Sequence, residues 1–370
     1  MKSKIIHVSV VVPTNEYWYH YKFGKIKDSF YNNKKYDYCV YRGFEDIHLL
    51  RKLEIYGKKF NIKFDHLENN YNYSSFIIFI NGHKLNNFQS SFLKSNKKKI
   101  LVIIEPAAIL PTLYNLSYHE NFDLVFSRDK TFLNKNQKKY KYFNGNCMIL
   151  KEHKKIFKNK KKNFLCIIFK NKYWHHKQSS SSLRLEIVEW YNKYYPNDLD
   201  LYGRDWDKNF IYLHKWLKNF SILRRILLKL FGLPLIRNFF SKSLKIYKGE
   251  TKNKINTLSQ YKFDICIENA FFDGAPGERI YHSLLAGTVP IFILKKTKTK
   301  YIPTNCYIDF WKFNSLNELN IYLKNMSDRT YDKYIANINK FIKSNSFFKH
   351  TVDFNAINIV KEIYKKNKIN

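Results

Sequence analysis

The sequence predicts an α/β fold built in two successive halves, and three observations carry that prediction. Apolar, β-branched runs alternate with polar stretches of a dozen or more residues. The runs are continuous rather than alternating, as expected of strands buried on both faces of a parallel sheet. The pattern stops in a lysine-heavy stretch and then starts again. Such alternation implies βαβ units. Two such halves imply two Rossmann-like domains facing a central cleft, which suits a chain of 370 residues.

Taken in order, IIHVSVVV near the N-terminus reads as the first strand, followed by SSFIIFIN (74 to 81), KILVIIEP (99 to 106) and FDLVFSRD (122 to 129). The stretch from Gly145 to Asn163 is poor in strand signal and rich in lysine, so it reads as the connection between the halves. FLCIIF (164 to 169) reopens the pattern. SLRLEIVEWYNKYY (182 to 195) reads as a helix with a Ser at its N-cap and apolar residues at 183, 187, 190, 191 and 194. DLDLYG, YKFDICIEN and TVPIFIL are further strands, the last two flanking one helix. From 315 to 364 the chain reads as helical, with Leu316, Leu319, Tyr322 and Leu323 on one apolar face. The expected domains are 1–150, 160–345 and a last helix over 346–370.

Composition narrows the classes. Hydrophobic residues make up 45% and aromatic residues 18%, enough for substantial cores. A formal net charge of +36 invites a polyanion, but Lys, Asn, Ile, Tyr and Phe are inflated together, so composition bias explains the charge as well. No RNP-type motif or paired zinc-finger spacing appears, which argues against nucleic acid. The five cysteines are scattered without a CxxC; Cys166 and Cys266 lie in apolar runs and read as core residues, which fits a reducing compartment. No stretch of 18 uncharged apolar residues or secretory leader is seen, so a cytoplasmic location is expected.

The densest motif is ENAFFDGAPGERIYHSLLAGTVPIFI (268 to 293). In open α/β sheets, ligands bind beyond the carboxyl ends of the strands. Here a strand ends near Glu268, a Gly-Pro loop follows, and a helix starts near Gly277 or Glu278. Gly274 and Gly277 allow close backbone approach. A helix N-terminus attracts anions, and Arg279 in the first turn adds a fork matched to phosphate oxygens. A departing diphosphate would be stabilised there. The loop also has a plain structural reading: Glu278 suits the helix dipole, and Gly and Pro mark ordinary βα loops.

The stretch from Lys248 through Ile293, continued by 300 to 342, resembles the donor-binding signature of glycosyltransferase family 10, the α-1,3-fucosyltransferases. LVIIEPAAILPTLYN and FDLVFSRD resemble that family's N-terminal, acceptor-side pattern. The resemblance implies a GT-B fold, with the sugar nucleotide held mainly by the C-terminal domain. It implies inverting transfer of fucose from GDP-fucose, or of a related sugar, to a hydroxyl of an acceptor glycan, with no metal and no other cofactor. The acceptor expected is a lipopolysaccharide or other surface polysaccharide, lipid-linked in some cases. Residue by residue, the resemblance assigns donor contacts to Arg184, Glu268, Asn269, Gly277, Glu278 and Arg279, and makes Glu105 the general base. The chain departs from the family at Ala275 and Gly277, where an aromatic residue and Thr are usual, at Arg279, where Lys is usual, and at Leu294-Lys295.

Two further segments carry expectations. Residues 211 to 246 separate the halves of the second domain and read as a basic amphipathic helix able to lie on an anionic membrane, or as a helix pair packed on the domain. His175 and His176 lack a third ligand, so no metal site is expected there. Two other function classes remain open: a catalytically silent nucleotide- or glycan-binding module, and a basic nucleic-acid binder.

Overall fold

The computed structural model describes residues 5–12, 44–82, 85–144, 161–172, 176–206, 244–271, 274–294 and 301–368. Two parallel sheets form, as the continuous apolar runs predict. The first contains β1 (Ile6–Val11), β2 (Ile62–His66), β3 (Phe76–Ile80), β4 (Lys98–Val102), β5 (Leu124–Ser127) and β6 (Tyr140–Tyr142), in the order β2-β1-β3-β4-β5-β6. The second contains β7 (Asn163–Ile168), β8 (Leu199–Tyr202), β9 (Tyr261–Ile267), β10 (Val289–Ile293) and β11 (Ile308–Asp309), in the order β11-β10-β9-β7-β8. The longer helices are α1 (Phe44–Lys58), α2 (Ser181–Tyr194), α3 (Glu278–Leu285), α4 (Leu316–Lys324), α5 (Asp328–Lys343) and α6 (Val352–Lys368).

Central strands are apolar on both faces because both faces are covered. Every residue of β3 is buried, its side chains dividing between two cores. One core takes Ile78 and Ile80 together with Leu49, Leu50 and Leu53 of α1. The other takes Ile77 and Phe79 with Leu113 and Phe122. A third core fills the second sheet, and Cys166 and Cys266 are buried within it as small apolar groups.

The last helix leaves the second sheet and returns to the first. Val352, Ala356, Ile359, Val360 and Ile363 of α6 pack with α1 and β1. Asp353 anchors it: the Lys52 ammonium lies 2.8 Å from its carboxylate, and Tyr56 donates to the same oxygen at 2.8 Å. Asn144 donates to the Lys349 carbonyl at 2.9 Å, while its own backbone N–H donates to Asn355 at 3.1 Å.

Four local expectations are corrected. Ser180 occupies the N-cap of α2 but makes no side-chain cap bond, because its hydroxyl donates to the Glu268 carbonyl instead. Tyr194 of α2 is exposed, although the spacing put it on the apolar face. On α4 the buried set is Leu319, Asn320 and Leu323, while Tyr322 faces outward. Asn320 takes the inner place because it donates to Asp198 at 2.8 Å. Asn163, expected at the end of the connection, begins β7. Most of that connection (145–160), most of the 211–246 segment and His175 lie outside the described residues. No described helix is long and apolar enough to cross a membrane.

Candidate functional site

Strand β9 ends at Ile267, and the next two residues begin the site. Asn269 is its hub. Its side-chain oxygen accepts from Arg184 at 2.7 Å and from Arg279 at 3.2 Å. The same two guanidinium groups are tied to the carboxyl ends of neighbouring strands. Arg184 donates to the Ile267 carbonyl of β9 at 3.0 Å, and Arg279 donates to the Ile168 carbonyl of β7 at 2.9 Å. Two positive groups are thereby held together at one sheet edge. A guanidinium carries five N–H donors, so each retains donors beyond those bonds. Like charges at close range are unfavourable unless something negative offsets them. Burial, followed by the facing Arg279, pushes the Arg184 guanidinium below its ordinary value, while Glu268 and Glu278 act in the opposite sense.

Helix α3 starts beside this pair. Gly277 is its N-cap and has no side chain to fold back onto the first-turn N–H groups. Those groups and the helix dipole favour an anion at this end. Burial pulls the Glu278 carboxyl up, but Lys254, Arg279 and His282 outweigh it and hold the group below its ordinary value. Glu278 is therefore a carboxylate at neutral pH. It can accept from hydroxyls of a ligand seated on the two arginines.

The helix is held by two bonds at its back. Ser283 donates to Asp264 of β9 at 2.6 Å, and Asp264 is buried. Burial lifts the Asp264 carboxyl to about 6, against the Ser283 bond and the charge of Arg279. Tyr281 pairs with His350 Nδ1 at 2.8 Å, joining α3 to the crossover before α6. The loop after β7 is sewn to the loop after β9 by the Ser179–Ala270 bridge and by Phe271 N donating to the Gln178 carbonyl at 2.6 Å.

Glu268 and Gly277 are bonded to each other. Glu268 is buried and accepts from the Gly277 N–H at 2.9 Å, closing the turn that leads into α3. A Cβ at Gly277 would come within 2.9 Å of Glu268 Oε2 and 3.3 Å of Arg128 Nη1. The missing side chain leaves room for these two protein groups, at a residue whose φ is −79° and needs no glycine. Within the chain itself, Glu268 and Arg128 approach Gly277 closely.

The first sheet contributes the facing wall. Glu105 follows β4, and Asn81, just past β3, accepts from the backbone N–H of Ile104 at 2.9 Å and of Glu105 at 3.4 Å. Tyr114 donates to the Glu105 carbonyl at 3.1 Å. Burial pushes the Tyr114 hydroxyl up, and the charges of Arg128, Asp129 and Glu105 all act on it. Those charges therefore share one neighbourhood. Ala108, three residues past Glu105, packs against Ala270, one residue past Asn269. The carboxyl ends of the two sheets meet there.

Arg128 and Asp129 were missed by the sequence reading. They follow β5 as the charged end of FDLVFSRD, which is the same signal that marks Glu268-Asn269 after β9. Among the described residues no group of three His, Cys, Asp or Glu could hold a metal ion. His176 accepts from the Gln178 N–H at 3.2 Å.

Known proteins share both the motif and the fold. Residues 230–369 match the profile described as glycosyltransferase family 10 (fucosyltransferase), C-terminal. The C-terminal part of this chain is thus similar to that domain. The match runs to the end of α6, so it includes the helix that packs on the first sheet. Mouse 4-galactosyl-N-acetylglucosaminide 3-alpha-L-fucosyltransferase 9 is 34% identical over 112 residues, 28% of this chain and 31% of the relative. An alpha-(1,4)-fucosyltransferase of Arabidopsis thaliana is 33% identical over 81 residues, 21% of this chain and 20% of the relative. The chain thus aligns with about a third or less of these relatives' length. A crystal structure of an alpha1,3-fucosyltransferase superposes over 95% of this chain and 93% of its own, at 14% identity and a TM-score of 0.50. That likeness concerns the fold alone, which is GT-B: two parallel α/β sheets with their carboxyl ends together.

Proposed function

We propose that this chain is a glycosyltransferase that moves fucose, or a related sugar, from a guanosine-diphosphate donor to a hydroxyl of an acceptor glycan. One observation carries the reading: Arg184 and Arg279 converge on Asn269 beside the uncapped N-terminus of α3. A diphosphate is the ligand class such a site fits. In the reaction, the bond between the anomeric carbon and the β-phosphate oxygen breaks, and its electron pair leaves with the diphosphate. The arginines and the helix dipole stabilise the charge that develops there. The acceptor oxygen bonds to the anomeric carbon and gives up its proton. Glu105, on the facing sheet, is the group assigned to take it. Glu278 is assigned to hydroxyls of the donor, and Glu268 and Gly277 to the turn that presents α3. A surface polysaccharide or lipopolysaccharide is the acceptor class favoured by the resemblance.

The experiment is transfer itself. GDP-fucose, with UDP- and CMP-sugars as controls, is incubated with the chain and a panel of surface glycans, and product is read by mass spectrometry. Acceptor-dependent release of GDP from GDP-fucose is the expected result. Nucleotide binding without consumption of any donor would instead leave a silent binding module. NMR of the product's anomeric linkage then tests Glu105. Inversion requires a base opposite the leaving group; retention removes that need and with it the role given to Glu105.

A further inference from the structure

Arg128 is buried and belongs to the other half of the molecule. Its backbone is fixed on its own side. Asp129 accepts from Thr131 N at 2.8 Å and from Thr131 Oγ1 at 2.7 Å, capping the short helix Lys130–Lys135. From that base the 128–129 backbone pairs across the seam with the turn before α3. Asp129 and Gly274 form an antiparallel bridge, and Ala275 N donates to the Arg128 carbonyl at 3.3 Å. The Arg128 guanidinium donates back to the Ala275 carbonyl at 3.4 Å. It also enters the space left by the absent Cβ of Gly277, on the same side as Glu268.

We propose that Arg128 is a positioning residue for the turn that presents α3: it reaches from the first sheet to hold Glu268 and residues 274–277 in the arrangement that receives the donor. The turn then belongs to both halves, and the site is complete only with the two sheets together. This inference rests on the proposed function for its purpose, but its geometry does not depend on it.

The physical link runs through Glu268. Its carboxylate must be charged to accept strongly from the Gly277 N–H. Burial lifts the Glu268 carboxyl above its ordinary value, Arg128 is the foremost group pulling it down, and Glu278 pushes it up. Arg279 also pulls it down, and Arg184 of α2 and Cys266 of β9 interact with it as well. Removing the Arg128 charge therefore moves protonation of Glu268 to higher pH, and the Gly277 bond weakens there.

Hydrogen–deuterium exchange on the ligand-free full chain reads this directly, with Arg128→Gln and Arg128→Lys compared from pH 5 to 8. After correction for intrinsic rates, Arg128→Gln is expected to speed exchange of the Gly277 amide at least tenfold. Amides in the middle of β9 should keep their protection. Its acid onset of loosening should lie at higher pH than in the wild type, while Arg128→Lys, which keeps the charge, retains the wild-type onset. An unchanged Gly277 amide in Arg128→Gln would overturn the proposal. So would an identical onset in both variants, which is the signature of packing alone. Should Arg128→Gln fail to fold, Gly277→Ala serves, since its methyl would lie within 2.9 Å of Glu268 Oε2 and 3.3 Å of Arg128 Nη1 and so disturbs their arrangement. It should loosen residue 277 and raise the onset, and unaltered exchange at 277 overturns the proposal. A parallel assay of GDP-fucose consumption by the wild type separates the two ideas. No turnover with the expected exchange pattern condemns the enzyme reading alone.

Discussion

Asp264 shows what a single buried carboxylate does at this site. It sits on a strand whose neighbours are apolar, and it holds α3 through Ser283. Its carboxyl lies at about 6 in the fold, against 3.8 for the ordinary group. A raised value means that the native state binds its proton more tightly than the unfolded chain. Its contribution to stability is complete below about pH 4 and is lost as pH rises through 6. Two units correspond to on the order of 2–3 kcal/mol. Asp264→Asn removes this dependence. Urea unfolding at several pH values should show the variant gaining on the wild type by that amount between pH 4 and 7. A flat difference would show that Asp264 keeps its proton affinity on folding. The individual site residues were legible in the sequence because most lie next to a strand end: Glu268 and Asn269 directly after β9, and Glu278 and Arg279 opening the next helix. Arg128 was not, because its contact with Ala275 spans 147 positions. Nothing local tells a charged strand end that faces solvent from one that crosses a seam.

At the scale of elements, the central strands could be read because burial on both faces leaves them continuously apolar. Strand β2, IKFDH, could not. It is an edge strand with an exposed Lys63, and β11 has only two residues. Neither leaves a hydrophobic run to detect. The fate of α6 was hidden for another reason. Helical periodicity says that one face is buried, not which sheet buries it. The decisive residue is Asp353, a buried carboxylate between Lys52 and Tyr56. Asp353→Ala strands the Lys52 ammonium in a nearly dry setting. Removing one member of a buried pair costs about 3–5 kcal/mol. Equilibrium denaturation should show a loss of that order, with α6 losing amide protection first. A loss below about 1 kcal/mol would mean that apolar contacts with α1 hold the helix unaided.

At the scale of the whole molecule, the two sheets divide the work. The second sheet supplies paired arginines and a helix end, and the first supplies Glu105 and Arg128 at the facing edge. The chain crosses back through 344–351 so that α6 closes on the first sheet, and His350 in that crossover meets Tyr281 of α3. Burial lowers the His350 imidazole to about 4, so the group is neutral in the working fold. Helix α3 and the turn before it are thus in contact with both the seam and the crossover. In the proposed function, the ligand at this helix end is a diphosphate held by the two arginines. Calorimetric titration of GDP into the wild type and into Arg279→Ala tests this most directly. A single site is expected in the wild type, with at least a hundredfold weaker binding in the variant and its melting temperature little changed. Equal affinity in the two proteins, or no binding to either, would contradict it.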